Sequence, residues 1–162
     1  MKHQLTYSKE GEVALRSLED QGIIVPLSTE SDLPKLPSDI TQLDSEDLME
    51  LFTSLTSFLD FVSYQVALAE ISEKTIERRL DIAIAKAMVL QPKGLASVVK
   101  AAAMADAAVV ALSEEHAVAY NYCKLIQVMA ENLNRDIVLV SRELTRRTSD
   151  GSSMTRARKF AT

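Results

Sequence analysis

Stepping from Leu48 by alternating four and three residues meets Leu48, Phe52, Leu55, Leu59, Val62, Val66, Ala69, Glu73, Ile76, Leu80, Ala83, Ala87 and Leu90. Only Glu73 interrupts this apolar line. Alternate steps of four and three return to the same side of a 3.6-residue turn, so the line belongs to a helix packed lengthwise on another helix. At 1.5 Å per residue it extends on the order of 65 Å. Asp44 or Ser45 is placed to cap it, with Glu46 and Asp47 in the first turn beside the positive end of the helix dipole. Pro92 and Gly94, just past Leu90, stop it.

A second line of the same period follows: Val109, Leu112, His116, Ala119, Cys123, Ile126, Ala130, Leu133, Ile137, Val140 and Leu144. Val118, Tyr122, Leu125 and Met129 widen its apolar side enough for a further partner. Residues 95–104 read as a short Ala-rich helix between the two; either Asp106 caps what comes after or a single helix passes through. Gly151 is expected to end the second long helix. The fold class expected is therefore all-α, a long antiparallel helical hairpin over about 45–90 and 106–148 with a short connecting helix. Few glycines, few prolines and abundant Ala, Leu and Val agree with long regular helices.

Three regions follow. Residues 1–43 read as an arm holding a short helix from Ser8 to about Gln21, ended by Gly22, with extended chain enforced by Pro26, Pro34 and Pro37. Such an arm is expected either to lie on a neighbouring subunit or to remain disordered. Residues 44–148 are the hairpin domain, and 149–162 are a flexible basic tail. A two-helix hairpin cannot cover all its sides, and Phe58, Phe61, Tyr64, Leu68, Ile82 and Ile84 are left over on the first helix. Homo-oligomerisation is the simplest way to cover them. Phe52, Leu59, Val66, Glu73, Leu80, Ile126, Leu133 and Ile137 are the positions expected to carry packing and oligomer contacts.

Nothing in the chain has the spacing of catalytic machinery. His116 and Cys123 lie two turns apart on one helix, about 10 Å, too far for a nucleophile pair. With His3 in the arm they offer no metal-ligand spacing, so no metal site is expected. The four glycines are isolated, which excludes a phosphate loop, and no cofactor is expected. Glu73, the polar interruption, is expected to pair with Lys74, Arg78 or Arg79 and to set register or oligomer number. One cysteine suits a reducing compartment, and no run approaches the roughly 18 apolar residues of a bilayer span, so no membrane partner is expected.

Charge is uneven although the net value is only -5. Residues 1–50 hold eleven acidic and four basic side chains, and 142–162 hold six basic and two acidic. Arg142, Arg146 and Arg147 lie at helical spacing, followed by Arg156, Arg158 and Lys159. Part of this complements a helix C-terminus. Six cations within eighteen residues exceed that need, and copies gathered in a ring would form a surface able to track a nucleic-acid backbone.

The stretch Leu36-Pro37-Ser38-Asp39-Ile40-Thr41, leading into Leu48-Met49-Glu50-Leu51-Phe52, resembles small helical proteins of tailed bacteriophages. So does Asn132-Leu133-Asn134-Arg135-Asp136 with Val140-Ser141-Arg142-Glu143-Leu144-Thr145-Arg146-Arg147. The order of elements over about 36–147 is also similar to the phage recombination mediator family. That resemblance implies ring formation, single-stranded DNA binding and recombinase loading, with Arg142, Arg146 and Arg147 as the basic end of the last helix. The acidic balance and the proline-bearing arm depart from the mediators. They point instead to a virion structural or assembly protein packed on other virion proteins. The expectation is a non-enzymatic homo-oligomer in the host cytoplasm or in the virion.

Overall fold

Asp44 opens the first long helix: its Oδ1 accepts the backbone N–H groups of Glu46 at 2.9 Å and Asp47 at 2.8 Å. Two donors that the first turn would leave unpaired are thereby satisfied. The computed structural model describes residues 9–25, 33–92 and 94–159, with side chains described as far as Ser149. The elements are α1 (Lys9–Asp20), a 3-10 turn (Ile40–Gln42), α2 (Ser45–Leu90), α3 (Ala96–Met104) and α4 (Ala107–Lys159). No strand occurs among the described residues, and the fold is all-α.

Hydroxyl residues do not interrupt α2, because they bond within it. Thr53, Thr56 and Ser63 donate to the carbonyl oxygens of Met49, Phe52 and Leu59 at 2.9, 2.8 and 2.8 Å. That removes the competition such side chains otherwise offer to the helical ladder. By length and composition alone α2 is also apolar enough to cross a bilayer, over an 18-residue window of mean hydropathy 1.2. This differs from the expectation that no stretch approaches a bilayer span: no apolar run of that length is unbroken, but scattered hydroxyls leave the average high. Only 22% of that window is buried, although the line Leu48, Leu55, Val62 and Ala69 packs inside.

The chain divides into two compact units, Met1–Val25 with Tyr64–Gln127 and Pro26–Ser63 with Val128–Thr162. In the first, α2 and α4 run antiparallel: Arg79 meets Glu115, Glu73 meets His116, and Glu70 meets Gln127. Ala87 of α2, Ala103 of α3 and Val109 of α4 form a buried cluster, with Leu80, Ala83 and Ile84 packed against it. Small side chains at 87 and 103 let these backbones approach closely. The α3–α4 junction bends by 69°. Ala105 N–H reaches the carbonyls of Ala101 and Ala102 at 3.1 and 3.2 Å, and Asp106 Oδ1 caps α4 by accepting from Ala108 N–H at 2.9 Å.

The first unit also holds the N-terminal helix. Leu15 of α1 is buried, as is Val25 beyond it. This corrects the arm expected to lie on a neighbour or stay disordered: over 9–25 it folds onto its own chain, because α1 has apolar surface to bury. Gly22 ends α1 with φ of 77°, the left-handed conformation that glycine adopts freely. Residues 1–8, with the expected Ser8 cap, and 26–32, with Pro26, lie outside the described residues.

In the second unit the buried apolar side chains are Leu48, Leu55, Phe58 and Val62 of α2 with Leu133 and Val140 of α4. Phe61 packs edge-on to Phe58, ring centroids 5.9 Å apart. Phe58 is thus not left over, as expected, but inside. The buried side of α2 is rotated slightly from the 4/3 line. Phe52, Leu59, Val66 and Leu80 are half-buried flanks, as are Ile126 and Ile137 on α4, whereas Leu133 and Glu73 lie inside.

A second correction concerns the end of α4. Gly151 does not stop it, and the helix continues to Lys159. A glycine costs a helix interior about 1 kcal/mol relative to alanine, which a long helix absorbs. The expected tail at 149–162 is helical as far as described, and 160–162 lie outside the described residues.

Candidate functional site

Two polar clusters stand out, one in each unit. The first gathers on Glu143, whose carboxylate is buried although it lies near the basic end of α4. Arg146, three residues on, donates Nε to Oε2 at 2.8 Å and Nη2 to Oε1 at 2.7 Å. Arg147 donates Nε to Oε1 at 2.8 Å. Spacings of three and four put all three side chains on one helix face, where a guanidinium fork matches a carboxylate. The Arg146 fork, then Arg147, holds the Glu143 carboxyl down to about 2.

Arg147 continues outward from this pair. Its Nη2 donates to the carbonyl oxygens of Ile40 at 3.4 Å and Thr41 at 3.1 Å, in the 3-10 turn. Asp39 caps that turn, accepting from Thr41 N–H at 3.0 Å, Thr41 Oγ1 at 2.6 Å and Gln42 Nε2 at 3.0 Å. The Thr41 hydroxyl and amide hold the Asp39 carboxyl below the usual aspartate range. The segment preceding α2 is therefore fastened to α4 through one guanidinium.

Of the six cations expected to meet a phosphate backbone, Arg146 and Arg147 are thus bound to Glu143 within the chain. The Arg147 side chain is only 20% exposed, against 57% for Arg146. Arg142 is exposed on α4. Arg156, Arg158 and Lys159 fall on the helical backbone of α4, with side chains outside the described residues, and Phe160 lies beyond them.

The second cluster centres on Glu73. His116 Nε2 lies 3.2 Å from Glu73 Oε1, joining α2 to α4 across 43 residues. Lys74 Nζ stands 2.8 Å from Glu77 Oε2 and 3.7 Å from Glu73 Oε2. Its hydrogen bond lowers the Glu77 carboxyl, and that bond, then the Glu73 charge, raises the Lys74 ammonium. Glu73 was expected to pair with Lys74, Arg78 or Arg79. Lys74 is near, but the closest partner is His116, and Arg79 pairs instead with Glu115 at 3.3 Å. Glu73, Glu77 and His116 each offer one ligand atom within 4.8 Å of the others. Searching the histidines and cysteine alone misses this trio, since two of its members are carboxylates one turn apart on α2. Cys123, buried nearby on α4, has its thiol pushed up by burial and by Glu70 and Glu73.

On the outer side of α4, Val118 is 71% and Leu125 72% exposed, with Tyr122 also exposed between them. This is the second apolar line seen in the sequence. Comparison with protein-family models, curated proteins and solved structures gave no match.

Proposed function

We propose that the protein is a non-enzymatic helical assembly component that works as a homo-oligomer. The observation that carries this reading is the apolar stripe on α4, Val118 and Leu125, standing in solvent two turns apart on a helix whose other side is already packed. Scattered apolar residues on a surface are ordinary, but an aligned stripe along a rigid helix is the form that a helix-on-helix contact between copies takes. A virion structural or assembly role, implied by the resemblance of 36–52 and 132–147 to phage helical proteins, fits such a component. Sedimentation of the full chain at tens of micromolar provides the test. Oligomers that dissociate in Val118→Asp with Leu125→Glu, at unchanged helix content, support it; a wild-type monomer at that concentration refutes it.

A second reading, single-stranded DNA binding with recombinase loading, is favoured by the continuation of α4 to Lys159. Arg142, Arg156, Arg158 and Lys159 then belong to a single helix rather than a loose tail. Phosphate contacts release counterions, so affinity for a labelled strand must fall as salt rises. Replacing those four cations by alanine should abolish binding. Affinity indifferent to salt or to the quadruple variant removes this reading.

A further inference from the structure

We propose that Glu73, Glu77 and His116 form a binding site for a divalent transition-metal ion, with Zn2+ the best match, closed at rest by the ammonium of Lys74. The inference is independent of the assembly role. Glu73 and Glu77 lie one turn apart on α2 and present carboxylates on the same side, and His116 faces them from α4. Two oxygens and one imidazole nitrogen suit a borderline cation, whereas Mg2+ and Ca2+ prefer oxygen-only shells.

Geometry is close to what the ion needs. Ligands about 2.1 Å from a tetrahedral zinc stand roughly 3.4 Å from one another. Glu73 Oε1 and His116 Nε2 are already 3.2 Å apart, and all three ligand atoms fall within 4.8 Å. Glu77 has 45% of its side chain exposed and can swing inward, while Glu73, only 11% exposed, is held in place by its burial. A fourth position is left for water. The cluster already draws a positive charge between its two carboxylates, the Lys74 ammonium, whose own side chain is 69% exposed. An arriving dication replaces that ammonium, neutralises both carboxylates and ties α2 to α4 with bonds stronger than the present 3.2 Å contact.

Calorimetric titration of the full chain with Zn2+, after treatment with a chelator, provides the test. One ion is expected per chain, with a rise in Tm that is reversed by chelation. Glu77→Gln, an exposed change that keeps the fold, should weaken binding by roughly tenfold or more, and His116→Ala should do the same. Lys74→Gln should strengthen it, because the competing cation is gone. His3→Ala and Cys123→Ser should leave it unaltered. No saturable binding, binding indifferent to both Glu77→Gln and Lys74→Gln, or loss on removing His3 or Cys123 overturns the assignment. Should His116→Ala unfold, the Glu77 and Lys74 variants decide alone.

Discussion

Arg147 Nη2 donates to the carbonyl oxygen of Thr41 at 3.1 Å, joining residues 106 positions apart. The same guanidinium donates Nε to Glu143 at 2.8 Å. One side chain therefore fastens the segment that precedes α2 to the basic stretch of α4. A flat guanidinium with several donors in fixed directions can do this, and an ammonium on a flexible stem cannot.

Replacing Arg147 by alanine should lower Tm more than replacing Arg146, although both bind Glu143. Arg147 is the less exposed, at 20% against 57%, and also bonds the 3-10 turn. Arg147→Lys should recover little of the loss. Thermal melts followed by circular dichroism rank the three, and equal losses from Arg146→Ala and Arg147→Ala would show that the turn contact contributes nothing.

Acid stability should carry the mark of Glu143. Its folded carboxyl is held to about 2, below the ordinary value of 4.5, so the folded state favours the ionised form. That contribution is fully present above pH 4.5 and is lost as the pH falls toward 2. Asp39, also lowered, adds in the same direction. Urea denaturation from pH 6 down to pH 2 should show a shallower acid-side loss in Glu143→Gln than in the wild type. Parallel curves would exclude Glu143 as a source.

Gln65 is 2% exposed, and neither its amide nitrogen nor its amide oxygen has a partner among the described residues. Burying an amide without compensating bonds costs about 1–3 kcal/mol. Gln65→Met, of similar length and shape, should therefore raise unfolding free energy by about 1 kcal/mol or more. A urea midpoint that moves down instead would mean that the amide is satisfied in solution.

The two kinds of packing should respond in opposite ways to size. Leu55 is fully buried, and Leu55→Ala should cost about 2–5 kcal/mol through lost burial and the cavity left behind. Ala103 is equally inaccessible but faces Ala87 and Val109, so there the damage comes from enlargement. Ala103→Leu should cost about 1–3 kcal/mol. Chemical denaturation measures both, and a neutral Ala103→Leu would mean that α3 can shift away from α2.

Helix ends were legible in the sequence because they are set locally. Asp44 and Gly22 act within three residues of themselves, so the start of α2 and the end of α1 follow from residue chemistry. At Asp106 the sequence allows either a cap or a continuous helix, and the structure has the cap. The side each helix buries was less legible. Stepping from Leu48 passes over Gln65, which is buried, and through Val66, which is only half-buried, because neighbouring elements decide that phase.

The candidate site was read only in part. Glu73 was marked by its place in an apolar line, but its pairing with His116 depends on the register between two helices, which neither carries alone. The arginine run is legible as a cluster of cations, and Glu143, three and four residues before Arg146 and Arg147, is the signal that both also pair within the chain. Gly151 misled in the other direction: its effect on a helix is a modest penalty, not a stop.

The 69° elbow between α3 and α4 has only Ala105 and Asp106 to make it, and both are bonded to adjoining turns. Such a joint has no slack. An extra residue there would swing Ala103 off its alanine neighbour. A tag or a foreign loop therefore has no place between Met104 and Ala107.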